Sequence, residues 1–453
     1  MEQEITSLKG LASALAIGHG TFGQADCKSR ATISSLPDEL LSTIFEVGRA
    51  SSTYKSHFEI LVSHVTQRWR NIALHTPRIW STIRRAAYQD DLEPFEVYLQ
   101  RSGCVPIDLR VEISFWRSDE NMSSFSTLFR NHTARWRRLS VSSETVHDVV
   151  ALLDCIISLP NVLESIHIEC EVCDGELGEA PPSGHMLAGA LHCLTTLSTD
   201  LTIPYFLTPS KTITHLRIAF DIDYHHWRIP STSITAALSA MSLEYLHVTI
   251  SSYVDFESTA QSSQILQLPT LQSLFVESGN CENAYRFSST VDAPLLHTLA
   301  FRTHYKHHGV PSMSGAGFGS LRNLKLVTIE RNGGFQADWL SHFASNFPDI
   351  TRLQVDDTYG LLRIMTGQSY ATPNIANWPN LHTLSITSSA ALEVDSIKEI
   401  LSARWMMDLP VRKLMLHKRY VQDAVDHGLS EHAEVEEFLP EISPVQDWWK
   451  PQD

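Results

Sequence analysis

After Arg135 the sequence returns to one phrase at nearly constant intervals, and this recurrence narrows the fold more than any other feature of the chain. Four copies share one register: "LPTLQSLFV" from Leu268, "APLLHTLAF" from Ala293, "FPDITRLQV" from Phe347 and "WPNLHTLSI" from Trp378. Looser copies are "WRRLSV", "NVLESIHI", "ITHLRI", "LEYLHV", "LRNLKL" and "VRKLML". The fourth position of the underlying L-x-x-L-x-apolar pattern falls at Leu139, Ile166, Leu216, Leu246, Leu274, Leu299, Leu324, Leu353, Leu384 and Leu414. Successive copies therefore lie 27, 50, 30, 28, 25, 25, 29, 31 and 30 residues apart, and the gap of 50 has room for a degenerate copy near Leu197. Between phrases run helix-like returns such as "HDVVALLDCIISLP", "FQADWLSHFASNFP" and "DSIKEILSARWMMDLP". Each ends at a proline, which cannot continue a helix and is tolerated where a strand begins.

One strand and one helix cannot bury their apolar faces alone, whereas stacked copies build a parallel sheet covered by helices. The period lies at or slightly beyond the roughly 20 to 29 residues of leucine-rich repeats. The expected fold class is α/β: a small N-terminal all-α module, then an irregular leucine-rich-repeat solenoid with its parallel sheet inside and helices outside. The asparagine ladder common in such repeats is missing, since Glu171, Asp221, Ser251 and Gly279 stand where it would fall. An irregular, helix-rich class follows, with a non-solenoid α/β domain as the alternative.

The second feature is "ISSLPDELLSTIFEVG", residues 33–48. Ser35 followed by Asp38 suits a helix cap, and Pro37 suits a first turn, where its missing N–H costs nothing. Leu36, Leu40, Leu41, Ile44, Phe45 and Gly48 then share one broad face. In "FEILVSHVTQRWRNIALHTPRIWSTI", Ile60, Leu61, His64, Val65, Arg68, Trp69 and Ile72 fit one helical face, stopped by Pro77 and followed by Trp80. Some fifty residues of short helices bury too little to be comfortable alone, so their apolar excess is expected to be shared. These three blocks, "LPDELLSTIF", "VSHVTQRWRNIAL" and "PRIW", resemble the F-box in order and spacing, as in the large fungal F-box families. Two differences stand out: Thr66 occupies a position where many relatives carry cysteine, and the spacer "EVGRASSTYKSH" is long and polar.

The resemblance implies a division of labour. The F-box-like helices would bind a Skp-type adaptor, and through it a cullin, while the repeats hold a protein substrate near a ubiquitin-charged enzyme. It implies adaptor-contacting or adaptor-supporting roles for Leu36, Pro37, Leu40, Leu41, Ile44, Phe45, Val65, Trp69 and Trp80. The expected organisation is a mobile tail over 1–32, the F-box-like module over 33–83, a connecting segment over 84–133, the solenoid over 134–425, and an acidic cap or tail over 426–453. The alternative is an interaction scaffold whose N-terminal helices only cap the solenoid. The two differ in whether the apolar stripe of residues 36–48 is free or packed against Trp136 and Leu139.

Strand alternation sends the third, fifth and seventh positions of each phrase to the open, concave face. In the central copies these are His215, Arg217, Tyr245, His247, Phe275 and Arg302, an expected aromatic and basic patch suited to a protein substrate. With 51 acidic against 35 basic residues the net charge is −16, which disfavours nucleic acid and anionic membranes as partners. No apolar run is long enough for a membrane span, and seven scattered cysteines suit a reducing cytoplasm or nucleus. "ECEVCD" gives Cys170 and Cys173 a metal-like spacing, and "DYHHW" and "FRTHYKHH" concentrate histidine, but no second clean ligand pair accompanies them. No phosphate loop, nucleophile elbow or HExxH occurs, so a non-catalytic chain without cofactor or metal is expected.

Overall fold

A computed structural model describes residues 33–51, 57–85, 92–113, 125, 127–143, 149, 152, 162–170, 193–199, 210–220, 236–250, 265–279, 284, 287–303, 321–328, 345–355, 378–387 and 394–438. The chain divides into two compact units between Leu139 and Ser140.

The first unit contains α1 (Asp38–Ser51), α2 (Phe58–Ser63), α3 (Gln67–Leu74), a 3-10 turn (Pro77–Trp80), β1 (Thr82–Arg85), α4 (Glu93–Arg101) and β2 (Ile107–Ile113). Pro37 immediately precedes α1, and its carbonyl accepts the Leu41 amide at 3.1 Å, so the proline starts the helix without wasting a donor. The Asp38 carboxylate is held by Arg68 at 2.6 Å. The same guanidinium donates to the Ser34 carbonyl at 2.6 Å and to that of Leu36, tying the start of α1 to α3. One continuous helix from Ile60 to Ile72 does not form: the chain turns at His64 and Val65 and restarts as α3. Thr66 drives the restart, its hydroxyl accepting the Trp69 amide at 3.1 Å as an N-cap.

The interior of this unit is Leu41, Phe45, Phe58, Val62, Trp69, Ile72, Ala73, Ile79 and Trp80. Phe45 and Trp69 meet with ring centroids 5.1 Å apart, and the Trp80 indole donates to the Ala73 carbonyl at 2.8 Å. Gly48 permits the close crossing of α1 and α2, because a Cβ there would lie 2.4 Å from the Phe58 ring. Residues 84–133 do more than connect. β1 pairs in parallel with β2, Thr82 opposite Asp108, and Tyr98 of α4 sets its ring edge-on to Trp80 at 5.2 Å. The Tyr98 hydroxyl donates to buried Glu59, which also faces Arg49 at 3.1 Å. The small module thus gains part of its missing core from the segment that follows it.

The division falls within β3 (Trp136–Ser143). The second unit continues with β4 (Ser165–Cys170), β5 (Thr196–Thr199), β6 (His215–Phe220), β7 (Tyr245–Ile250), β8 (Ser273–Ser278), β9 (Thr298–Thr303), β10 (Asn323–Thr328), β11 (Arg352–Val355), β12 (Thr383–Ile386), β13 (Lys413–Leu416) and β14 (Glu434–Glu437). From β4 onward each strand lies parallel to the next in chain order, a solenoid-like α/β arrangement. The phrase fixes the register. Ile166, Leu197, Leu216, Leu246, Leu274, Leu299, Leu324, Leu353, Leu384 and Leu414 stand directly opposite one another through the whole series. None is more than 1% exposed. Leu197, the degenerate copy, is a full member of this ladder.

A backbone device recurs at the start of each strand. The Gln272 carbonyl accepts the amides of both His297 and Thr298, at 3.0 and 3.1 Å, and equivalent carbonyls from Glu164 to His382 do the same. These doubled bonds satisfy backbone donors where each strand begins. The recurrent prolines lie just ahead of the strands: in Leu268–Leu271, Ala293–Leu296 and Trp378–Leu381 the first carbonyl accepts the fourth amide at 3.2, 3.0 and 3.0 Å. Pro269, Pro294 and Pro379 occupy the second position of these turns, where their fixed φ is favourable.

The return "DSIKEILSARWMM" forms α5 (Val394–Met406), burying Val394, Ile397, Ile400, Leu401 and Arg404 on one side. The Arg404 guanidinium is fully buried and donates to the carbonyls of Leu409 at 3.1 Å and Trp378 at 3.0 Å. After α6 (Lys418–Asp426), β14 pairs with β13, so the acidic C-terminal region contributes a closing strand. Residues 1–32 and 439–453, including Trp448 and Trp449, lie outside the described residues.

Candidate functional site

Two surfaces concentrate features that the folds around them do not consume. The first is on α1, whose apolar residues form two neighbouring stripes. Leu41, Phe45 and Gly48 point into the core. Leu36, Leu40, Ile44 and Val47 form the other stripe, with Leu40 51% and Val47 48% exposed. The stripe expected to be either free or packed is therefore split lengthwise. Its inner half packs on Phe58, Val62, Trp69 and Trp80, while Trp136 stacks on Phe129 at 4.8 Å. Of the residues expected at an adaptor contact, Leu41, Phe45, Trp69 and Trp80 are interior. Pro37, Leu40 and Val65 are exposed, and Leu36 and Ile44 are half-buried. Ile60 and Leu61 are also exposed; the spacing puts them on one helical face with Trp69 and Ile72, which are buried, and the break at His64 separates the two pairs.

The second surface crosses β6 to β9. Register places His215 beside Tyr245, Arg217 beside His247 and His247 beside Phe275, so the six residues expected on this face are brought together. His215 and Tyr245 stack with centroids 6.0 Å apart, His247 meets Phe275 at 4.3 Å, and the Arg302 guanidinium lies 5.7 Å from the Phe275 ring. Two expectations need correction. His247 is not displayed on an open face but is only 8% exposed, because side chains on both neighbouring strands close over it. His167 and Ser165, expected outward on β4, are buried for the same reason. Nor is the patch simply basic. Glu277 sits 3.5 Å from the His247 Nε2 and 3.7 Å from Arg302, a carboxylate shared by two would-be cations.

Burial pushes the His247 imidazole below its ordinary pKa, Arg217 and Arg302 add to this, and Glu277 opposes it. Burial likewise lowers His215, against a smaller pull from Glu244. Both rings are accordingly neutral at neutral pH. Farther along the same face, Ser198, His167 and Glu169 supply the residue types of a catalytic triad. Ser198 meets the His167 Nδ1 at 2.9 Å and Glu169 lies 3.8 Å from Nε2. Ser198 is 2% and His167 8% exposed, so the pair is buried and its contact joins β4 to β5.

Cys170 is buried and Cys193 half-buried, whereas Cys173, His192, the "DYHHW" stretch and residues 304–308 lie outside the described residues. Among the described residues no group of three or more His, Cys, Asp or Glu could hold a metal, and no helix is long and apolar enough to cross a membrane. No protein-family model and no curated protein matches the sequence.

Proposed function

We propose that the chain is the substrate-recognition subunit of a Skp-cullin-F-box type ubiquitin ligase, with the α1–α3 module seated on a Skp-type adaptor and leucine-rich-repeat-like strands β6–β9 facing a protein substrate. The reading rests on the resemblance of "LPDELLSTIF", "VSHVTQRWRNIAL" and "PRIW" to an F-box. The observation that carries it is the second stripe of α1: a helix already anchored by Leu41 and Phe45 keeps Leu40 and Val47 exposed, beside half-buried Leu36 and Ile44 that pack on the core from the same side. Covering Leu40 and Val47 would contribute about 1 kcal/mol each at the usual yield for apolar area. The chain performs no bond chemistry itself; it raises the effective concentration of substrate beside the transferring enzyme.

Co-purification with a Skp-type adaptor tests this. The full chain is expected to capture the adaptor, and Leu40→Asp to lose it with an unchanged melting temperature. Trp69→Ala loses capture by unfolding the module, so it serves as the stability control. A wild-type chain that captures no adaptor under gentle conditions overturns the ligase reading and leaves an interaction scaffold.

A further inference from the structure

The residue just ahead of each strand in the second unit stands at the rim where the strands begin, joined to its neighbours by the doubled backbone bonds. Ahead of β4 to β8 this row reads Glu164, Thr195, Thr214, Glu244 and Gln272. Ahead of β9 to β13 it reads His297, Arg322, Thr351, His382 and Arg412, and Arg352 opens β11 beside Thr351. His297, Arg322, Arg352, His382 and Arg412 are all exposed. A chain with net charge −16 thus gathers a run of cationic and imidazole side chains on consecutive strands at one rim. Their compensation is sparse. Arg322 faces Asp349 at 3.8 Å with both side chains largely in solvent, and among the described residues no ion pair engages Arg352 or Arg412.

We propose that this rim, from His297 to Arg412, is a docking ledge for an acidic protein segment, separate from the β6–β9 face. Neighbouring strands are about 4.8 Å apart, so Arg322 and Arg412 are separated by three spacings, roughly 14 Å. An extended peptide covers that distance in about four residues, so carboxylates about four apart can each meet one of the two outer guanidinium groups in the forked geometry arginine favours. Leu295, 55% exposed at the start of the row, adds an apolar contact. A nucleic acid fits less well, because the row offers no Phe, Tyr or Trp on which bases could stack.

Fluorescence anisotropy of a labelled Glu-rich decapeptide against the full chain tests the ledge, with single-stranded DNA of equal charge as competitor. The peptide is expected to bind, to weaken as salt rises, and to bind roughly tenfold or more weakly to an Arg322→Glu, Arg352→Glu, Arg412→Glu variant. All three sites are at the surface, so the variant should melt like the parent, and Lys418→Glu, an exposed cation away from the row, should bind like the parent. Absence of peptide binding, or equal binding by the reversed variant, overturns the proposal. Displacement of the peptide by DNA at lower concentration than by unlabelled peptide also overturns it, in favour of a nucleic-acid surface. Adaptor capture through α1 is read independently, so either proposal can fail alone.

Discussion

The helical module and the strand array bury comparable apolar residues, but they do so in different geometries. In the module each large side chain is unique: Trp80 touches elements from α3 to α4, and Phe45, Trp69 and Phe58 interlock around it. In the array one position is repeated, and each leucine of the ladder stands directly opposite its counterparts on the strands before and after. The first is a small globular core without redundancy; the second is quasi-one-dimensional, with stability summed over neighbours. Damage should spread through the module and remain local in the array.

Trp80→Ala is the strongest way to test that contrast. It removes a fully buried indole and one of the two hydrogen bonds that the Ala73 carbonyl accepts, with an expected cost of about 3–5 kcal/mol. Hydrogen exchange should accelerate together over α1, α3 and α4, leaving the array protected. Leu299→Ala, in the middle of the ladder, should cost about 2–5 kcal/mol but raise exchange only around β8 to β10. Uniform loss across all strands would show that the array is a single cooperative core. A subtler probe of the module is Gly48→Ala, whose new methyl collides with the Phe58 ring and should cost about 1–3 kcal/mol in denaturant titration.

The smallest expected effect concerns pH. His247 has a folded pKa below its unfolded value, so below about pH 6.5 the unfolded chain binds a proton that the native chain refuses. Stability of the central strands should therefore fall as pH drops from the unfolded pKa through the folded one, and be level above it. His247→Gln should flatten the part of this slope that His215, lowered in the same direction, does not supply. A melting temperature that rises on acidification through this window would contradict the assignment of a neutral, desolvated imidazole.

The contrast between the regions also explains what could be read from the residues beforehand. A repeat announces itself because the same physical demand recurs every few dozen residues; Leu197 was recoverable because the period required a copy in that gap. The six residues from His215 to Arg302 could be placed on one face because parallel register follows from aligned phrases. A unique core sends no such signal. Nothing periodic distinguishes Leu41 from Leu40, and Thr66, an N-cap that divides two helices, sits inside a run whose spacing suits one.

The sequence by itself determined the order of the units, the parallel strands and their register, and the start of α1 at Pro37, because each follows from spacing along the chain or from a single residue's backbone limits. Only the tertiary structure decided which stripe of α1 is core and which remains at the surface, how deeply His247 is buried, and that Glu277 stands between it and Arg302. Those outcomes depend on side chains arriving from distant positions: Phe58 and Trp69 against α1, and neighbouring strands against His247. Their depth and charge cannot be read from the local pattern of any one segment.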